Sequence, residues 1–254
     1  MNFRDHFSVQ AADYAKFRPH YPTELFDYLS DIAPDNEIAW DCATGNGQAA
    51  VPLTSKFRHV IATDASEKQI KNAARHERID YRVATAEKSG ITSDNIDTIT
   101  VAQALHWFDL DLFYAEAKRV LKPQGVLAVW GYNLLQIAPN IDNVINRFYE
   151  EIVGPYWPPE RRVIEKGYAH LAFPFAEMHP PQFRMEAYWS LERLQGYLRT
   201  WSATQRFIAE NHKDPTAAIV PDLQDLWGDP ERGRIIIWPL TIRVGHDDCR
   251  YRSR

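Results

Sequence analysis

Short apolar runs recur through the first half of the chain, and they restrict its fold more than any other feature. They are Ile38-Ala39-Trp40, His59-Val60-Ile61-Ala62-Thr63, the weaker Tyr81-Arg82-Val83-Ala84, Ile96 to Ala102, and Val126-Leu127-Ala128-Val129-Trp130. Runs apolar on both faces need cover on two sides, as in a parallel sheet between helical layers. The intervening stretches carry helix punctuation. Ser66-Glu67-Lys68-Gln69 has the spacing of a capping box and predicts a helix through about Arg75. The segment holding Leu112, Ala115 and Arg119 stops at Lys122-Pro123-Gln124-Gly125, where proline and glycine end a helix and turn the chain into a strand.

The second half reads differently. Gly154-Pro155-Tyr156-Trp157-Pro158-Pro159 cannot continue a helix and predicts a loop or hinge. Gln182 to Ala187 alternates polar and apolar residues, as a half-exposed antiparallel strand does. Ser190 opens a helix with Leu191, Leu194, Leu198 and Trp201 on one stripe. Ile235 to Ile242 is a strong strand interrupted by Pro239, which has no amide proton and so requires a bulge or a free edge.

Composition removes several function classes. The 254 residues carry a formal net charge of -5, so no global basic field exists to hold a polyanion, and nucleic acid is disfavoured as a partner. The two cysteines, Cys42 and Cys249, make neither a disulfide framework nor a metal-binding pair and suit a reducing compartment. With no apolar leader and no run long enough to span a membrane, the expectation is a soluble cytoplasmic protein.

Gly45-Asn46-Gly47 follows a strand and precedes a helix, so the glycines permit a tight turn and close approach of a ligand. Read as Gly45-x-Gly47-x-x-Ala50, the same loop matches a nicotinamide-dinucleotide fingerprint. Asp41 discriminates. A carboxylate beside the loop repels a pyrophosphate but attracts the ammonium and sulfonium of S-adenosylmethionine; the plainer role is a cap on the turn. Asp64, ending the second strand, can accept hydrogen bonds from ribose hydroxyls in either kind of cofactor, or cap the turn before Ser66.

Four ordered stretches then resemble the class I S-adenosylmethionine-dependent methyltransferases, in particular the type 11 small-molecule group. They are Asp41 to Gly47, Thr63-Asp64-Ala65-Ser66, Ala86-Glu87, and Gln103-Ala104-Leu105-His106-Trp107-Phe108 with Arg119 to Gly125. Asp5-His6-Phe7-Ser8 and Tyr14 to Pro22 are similar to the subgroup around trans-aconitate methyltransferase. The resemblance implies a Rossmann-like α/β fold, mostly parallel with an antiparallel last strand. It divides the chain into an N-terminal lid (1–34), a cofactor-binding core (35–133), a helical substrate-covering insertion (134–233) and a final strand with tail (234–254). It implies that the loop, with Ala43, Thr44, Gly45 and Gly47, holds the methionine portion and Asp64 the ribose. Ala65, Ser66 and Gln69 would border the adenine, Ala86 would offer its amide, and the Gln103 carbonyl would face the ammonium. Ala104, Glu87, Tyr14 and Arg18 complete the implied cofactor set. Many relatives have an acidic residue where Thr85 stands, so the adenine end is the weakest part of the match. No metal is expected.

His106 and Trp107 fall just after the fourth strand, at the edge where α/β sheets bind ligands. His106 suits a general base for a hydroxyl or amine, or an orienting group for a carboxylate, which needs no base. Trp107 suits a cation–π contact with the sulfonium, or simple wall packing. Phe7, Tyr14, Phe17 and Tyr21 with Arg18 read either as a lid with a carboxylate anchor or as an ordinary amphipathic helix. In the cover, Tyr132, Trp157, Tyr197 and Trp201 suit a planar or apolar substrate, and Arg161, Arg162 and Arg199 an anionic one. A methyltransferase acting on a small molecule leads this reading; a cofactor-binding non-enzyme and a nicotinamide dehydrogenase are the alternatives. The oligomeric state is not legible.

Overall fold

The computed structural model describes residues 18–248, so the expectations for Phe7, Tyr14 and Phe17 lie outside the described residues. Five parallel strands form the core: β1 (Ile38–Cys42), β2 (His59–Asp64), β3 (Ile79–Val83), β4 (Ile96–Ala102) and β5 (Leu121–Tyr132), in the order β3-β2-β1-β4-β5. β8 (Arg234–His246) then runs antiparallel to β5, as expected for the last strand. Alternation fills both faces. Val126, Ala128 and Trp130 pack against α1 (Thr23–Ile32) and the cover, whereas Leu127 and Val129 pack toward α4 (Leu110–Val120).

β8 serves two ladders. Its first half pairs with β7 (Arg184–Trp189) from Trp189–Arg234 to Arg184–Pro239, and its second half pairs with β5 from Tyr132–Leu240 onward. Pro239 lies at the hand-over, exposed, where its missing donor interrupts neither ladder. The short β6 (Ala176–Glu177) closes the far edge of the strand.

Between β5 and β7 the chain forms α5 (Pro139–Arg147), a π-turn (Phe148–Ile152), a single 3₁₀ turn (Gly154–Tyr156) and α6 (Arg161–Glu165). After β7 come α7 (Leu191–Arg199), α8 (Ser202–Asn211) and α9 (Val220–Trp227). The Ser190 hydroxyl caps α7, as its sequence predicts. Trp201 is not on that helix. α7 stops at Arg199, and Trp201 caps the next helix while remaining buried. Trp238 on β8 joins the cover to the sheet. Wholly buried, it meets the rings of Trp189 and Tyr197 edge-on and donates its indole N–H to the Tyr197 hydroxyl at 3.1 Å.

Two helix boundaries differ from expectation. The helix opened by Ser66, α3, covers only Glu67–Asn72, because Ala73 turns extended and the Ala74 amide donates to the Asn46 carbonyl. α4 ends at Val120, and Lys122 to Gly125 lie inside β5 as an irregularity with Gln124 at φ +64°. Gly125 is required there, since a Cβ would stand 2.8 Å from the Lys122 carbonyl oxygen.

Truncation of Trp238 to alanine removes the packing and hydrogen bond that tie cover to sheet. It should cost about 3–5 kcal/mol in urea unfolding; a loss below about 1 kcal/mol would contradict the shared core.

Candidate functional site

The glycine loop leaves β1 between two buried carboxylates. Asp41, 1% exposed, accepts from the Thr44 hydroxyl at 2.6 Å and from the Thr100 hydroxyl on β4 at 2.8 Å. Asp64 accepts from the Gly45 amide at 2.9 Å and from the Ser66 amide at 2.8 Å. The first clamps the loop to the neighbouring strand and the second to the end of β2. Burial lifts the Asp41 carboxyl well above the ordinary aspartate range, to about 6; the two hydroxyls pull it down, and the Asp64 charge adds a smaller lift.

The backbone is strained where these strands end. Ala43 and Gln103 follow the adjacent strands β1 and β4, with φ of +56° and +57°. Left-handed geometry costs a non-glycine residue about 1–3 kcal/mol and persists only where its surroundings impose it. The two loop glycines differ. A Cβ on Gly47 would stand 2.4 Å from the Tyr81 hydroxyl, so Gly47 serves packing, whereas a Cβ on Gly45 meets nothing within 4 Å. Open space therefore lies before Gly45.

Past β4, Gln103 donates its side-chain amide to the Tyr132 carbonyl at 2.9 Å, and its Oε1 is buried without a partner. Gly131 makes room beside it: a Cβ there would lie 3.2 Å from that oxygen and 3.4 Å from the Tyr168 hydroxyl. Tyr168 in turn stacks on His106, with its hydroxyl 3.4 Å from Nδ1. Burial, reinforced by the Arg161 charge, pushes the His106 imidazole down to about 3, so the ring is neutral at physiological pH. Trp107 packs against His106 at 4.7 Å between centroids and keeps over a third of its surface exposed. The cluster thus joins an orphan acceptor, a neutral imidazole and a phenol at the carboxyl ends of β4 and β5.

Comparison with known proteins decides the family. Residues 40–129 match the model of the methyltransferase domain. A Dictyostelium discoideum protein named as a methyltransferase is 34% identical over 88% of this chain and 85% of its own length. A solved structure from Anaeromyxobacter dehalogenans, described as a type II methyltransferase, is 43% identical with a TM-score of 0.87, covering 91% of this chain and 98% of that one. The Bacillus subtilis YcgJ protein shares the fold alone, at 16% identity and a TM-score of 0.52 over 89% of this chain and 99% of that one.

The chain belongs to the class I methyltransferases. Its cofactor is S-adenosylmethionine, and the nicotinamide alternative is set aside.

The methyltransferase brings some expected residues together and separates others. Asp41, Ala43, Thr44, Gly45, Asp64, Ala65, Ser66, Gln103 and Ala104 surround the loop and the adjoining strand ends. Ala86 is buried and Thr85 exposed, with no side-chain hydrogen bond from Thr85 among the described residues. Gln69 is half-buried on α3, and Glu87 accepts from the Asp109 amide at the start of α4. Arg18 donates to the Tyr132 hydroxyl at 3.0 Å and lies over the Tyr197 ring at 5.1 Å. Tyr132, Tyr197 and Trp201 are 4%, 2% and 4% exposed within the shared core, so their rings pack the protein rather than face open space. Arg199 pairs with Asp214 at 2.7 Å. Tyr168 went unnoticed in the sequence, where nothing local links it to His106. Among the described residues, no three His, Cys, Asp or Glu side chains gather as a metal site, and no helix is long and apolar enough to cross a membrane.

The raised Asp41 pKa has a definite sign. The folded protein binds this proton more tightly than the unfolded chain, so the stabilisation is complete below about 3.8 and is lost as pH rises through about 6. Asp41→Asn should remove that slope, worth at most about 3 kcal/mol, from the unfolding free energy measured between pH 4 and 7. An unchanged slope would show that Asp41 is ordinary in the folded protein.

Proposed function

We propose that the chain transfers the methyl group of S-adenosylmethionine to a small organic acceptor, a carboxylate or a hydroxyl, by in-line displacement. The observation that carries this reading is the roofed cluster of Gln103, His106 and Tyr168 at the strand ends, beneath α6 and beside the end of β5. Such a site suits a molecule that can be enclosed better than a polymer. In this reading residues 134–233 are the substrate cover, and Arg18 and Tyr21 border it through Tyr132 and Trp130.

The residues present fit the cofactor. Open space before Gly45 accommodates a ligand against the loop backbone. The buried Oε1 of Gln103 lacks a donor, which an ammonium supplies. Asp64, at the carboxyl end of β2 beside Gly45, stands where an acidic side chain can accept from ribose hydroxyls. Asp41 supplies the negative field, Ala65, Ser66 and Gln69 border the adenine, and the Ala86 amide with Glu87 and Thr85 completes its pocket. S-adenosylmethionine, when bound, supplies an electrophilic methyl on a sulfonium.

The protein's share is alignment and exclusion of water, which can account for much of a displacement's acceleration. A neutral His106 of low basicity suits orientation of an already ionised acceptor better than removal of a proton at pH 7. That favours the carboxylate, as does the N-terminal likeness to trans-aconitate methyltransferase. Trp107 walls the site with an exposed ring edge.

Incubation with methyl-tritiated S-adenosylmethionine and fractionated cell extract tests this. Label should enter the fraction below about 1 kDa and be released as methanol by mild alkali, as from an ester. Label confined to protein or nucleic acid would overturn the reading, and alkali-stable small-molecule label would assign a hydroxyl instead. Gly45→Ala should fold with a loss of about 1 kcal/mol yet abolish calorimetric binding of S-adenosylhomocysteine; wild-type affinity in that variant would show that the space before Gly45 is unused.

A further inference from the structure

The cover contains an arginine, Arg161, that makes no direct ion pair among the described residues. Arg161 opens α6 half-buried, with its guanidinium 5.0 Å from the Trp157 ring centroid and 5.7 Å from that of Tyr149. Nε donates to the Tyr149 hydroxyl at 3.0 Å and Nη2 to the Asn133 side-chain oxygen at 3.0 Å. Those bonds use two of five N–H donors, and among the described residues none of the ion pairs includes Arg161. Glu165 is nearby, but its carboxylate accepts from the Tyr149 hydroxyl. Of the other cover arginines, Arg147 pairs with Asp222, Arg199 pairs with Asp214, Arg162 is exposed, and half-buried Arg206 donates to the Tyr156 carbonyl at 3.3 Å away from the cleft.

Arg161 lines a cleft of about 650 Å³ with Asn133, Leu134, Tyr149, Trp157 and Pro158; Arg162, Glu150 and Glu165 also border it, the two carboxylates on exposed residues. That volume suits a small organic molecule. Asn133 follows directly on Tyr132, whose carbonyl accepts from Gln103, so the cleft begins where the donor site ends. The helix that Arg161 opens, α6, packs against the Leu105–Trp107 turn that carries His106, and the Arg161 charge acts on both His106 and Tyr168. A half-buried cation with spare donors is stabilised by an anion that brings its own acceptors. The fixed fork, flanked by aromatic rings, favours a planar carboxylate with an apolar body.

We infer that Arg161 is the anchor for the acceptor's carboxylate, and that the enzyme's substrates are monocarboxylic acids with an apolar or aromatic body. This rests on the methyl-transfer reading above and adds the substrate class to it. The bound acid occupies the cleft along Trp157 and Leu134, with its carboxylate on Arg161 toward His106.

Phenylacetate and octanoate are suitable probes, with phenylacetamide and octanamide as neutral counterparts. Their binding to the S-adenosylhomocysteine-loaded protein is followed by saturation-transfer NMR, and S-adenosylhomocysteine affinity by calorimetry. The acids should bind at least tenfold more tightly than the amides. Arg161→Gln should weaken the acids at least tenfold while changing S-adenosylhomocysteine affinity by less than about twofold, which also reports that the variant is folded. Arg161→Lys, retaining charge without the fork, should fall between them. Equal binding of acids and amides, acid binding indifferent to Arg161, or no acid binding to the loaded wild type would overturn the inference and leave the donor site standing. Failure of the wild type to bind S-adenosylhomocysteine would instead bring down the methyl-donor reading beneath it.

Discussion

Two buried carboxylates hold the glycine loop in place. A loop with several left-handed residues has little stability of its own, and here its turn is bonded outward at both ends. Asp41 ties it through Thr44 and Thr100 to β4, and Asp64 ties Gly45 to the start of α3. Asp41 stays buried despite a raised pKa because two hydroxyls satisfy its oxygens. Capping and ligand recognition are therefore not competing explanations for these aspartates. The same carboxylates that shape the loop present negative charge to whatever lies against it.

The cover depends on the sheet as much as the site depends on the loop. β8 pairs with β7 along one half and with β5 along the other, so a single strand carries the cover's sheet and completes the core's. Trp238, Tyr197 and Trp189 fill the junction. Their rings are buried for packing, which leaves the half-buried residues near the end of β5 and the start of α6 to meet a ligand. In the reading proposed above, the cofactor lies at strand ends of the parallel sheet and the acceptor along a segment packed on that aromatic junction.

The glycine loop and its flanking acids were legible in the sequence because their pattern is local. β-branched runs, the loop and the acids at the strand ends are neighbours in the chain, and each lies where a parallel sheet needs it. The break at Pro239 also followed from pattern, and the antiparallel last strand from the family resemblance. What failed were boundaries set by distant contacts. α3 ends early because Ala74 bonds Asn46, and the Pro-Gln-Gly stretch after α4 belongs to β5 because Gly125 fits against Lys122. The contacts of His106 and Arg161 were hardly legible. His106 meets Tyr168 across a long stretch of chain, and nothing in Arg161's immediate sequence separates it from Arg162, although one is caged by aromatics and the other faces solvent.

The central claim is that the carboxyl ends of β1, β2 and β4 form the methyl-donor site and deliver the methyl toward His106 and Tyr168. A crystal structure with S-adenosylhomocysteine bound tests it most directly. The account predicts ribose hydroxyls on Asp64, the amino group at Gln103, and the sulfur facing His106 and Tyr168 with the Arg161 cleft beyond. A ligand lying elsewhere, or one with its sulfur turned away from His106, would contradict it.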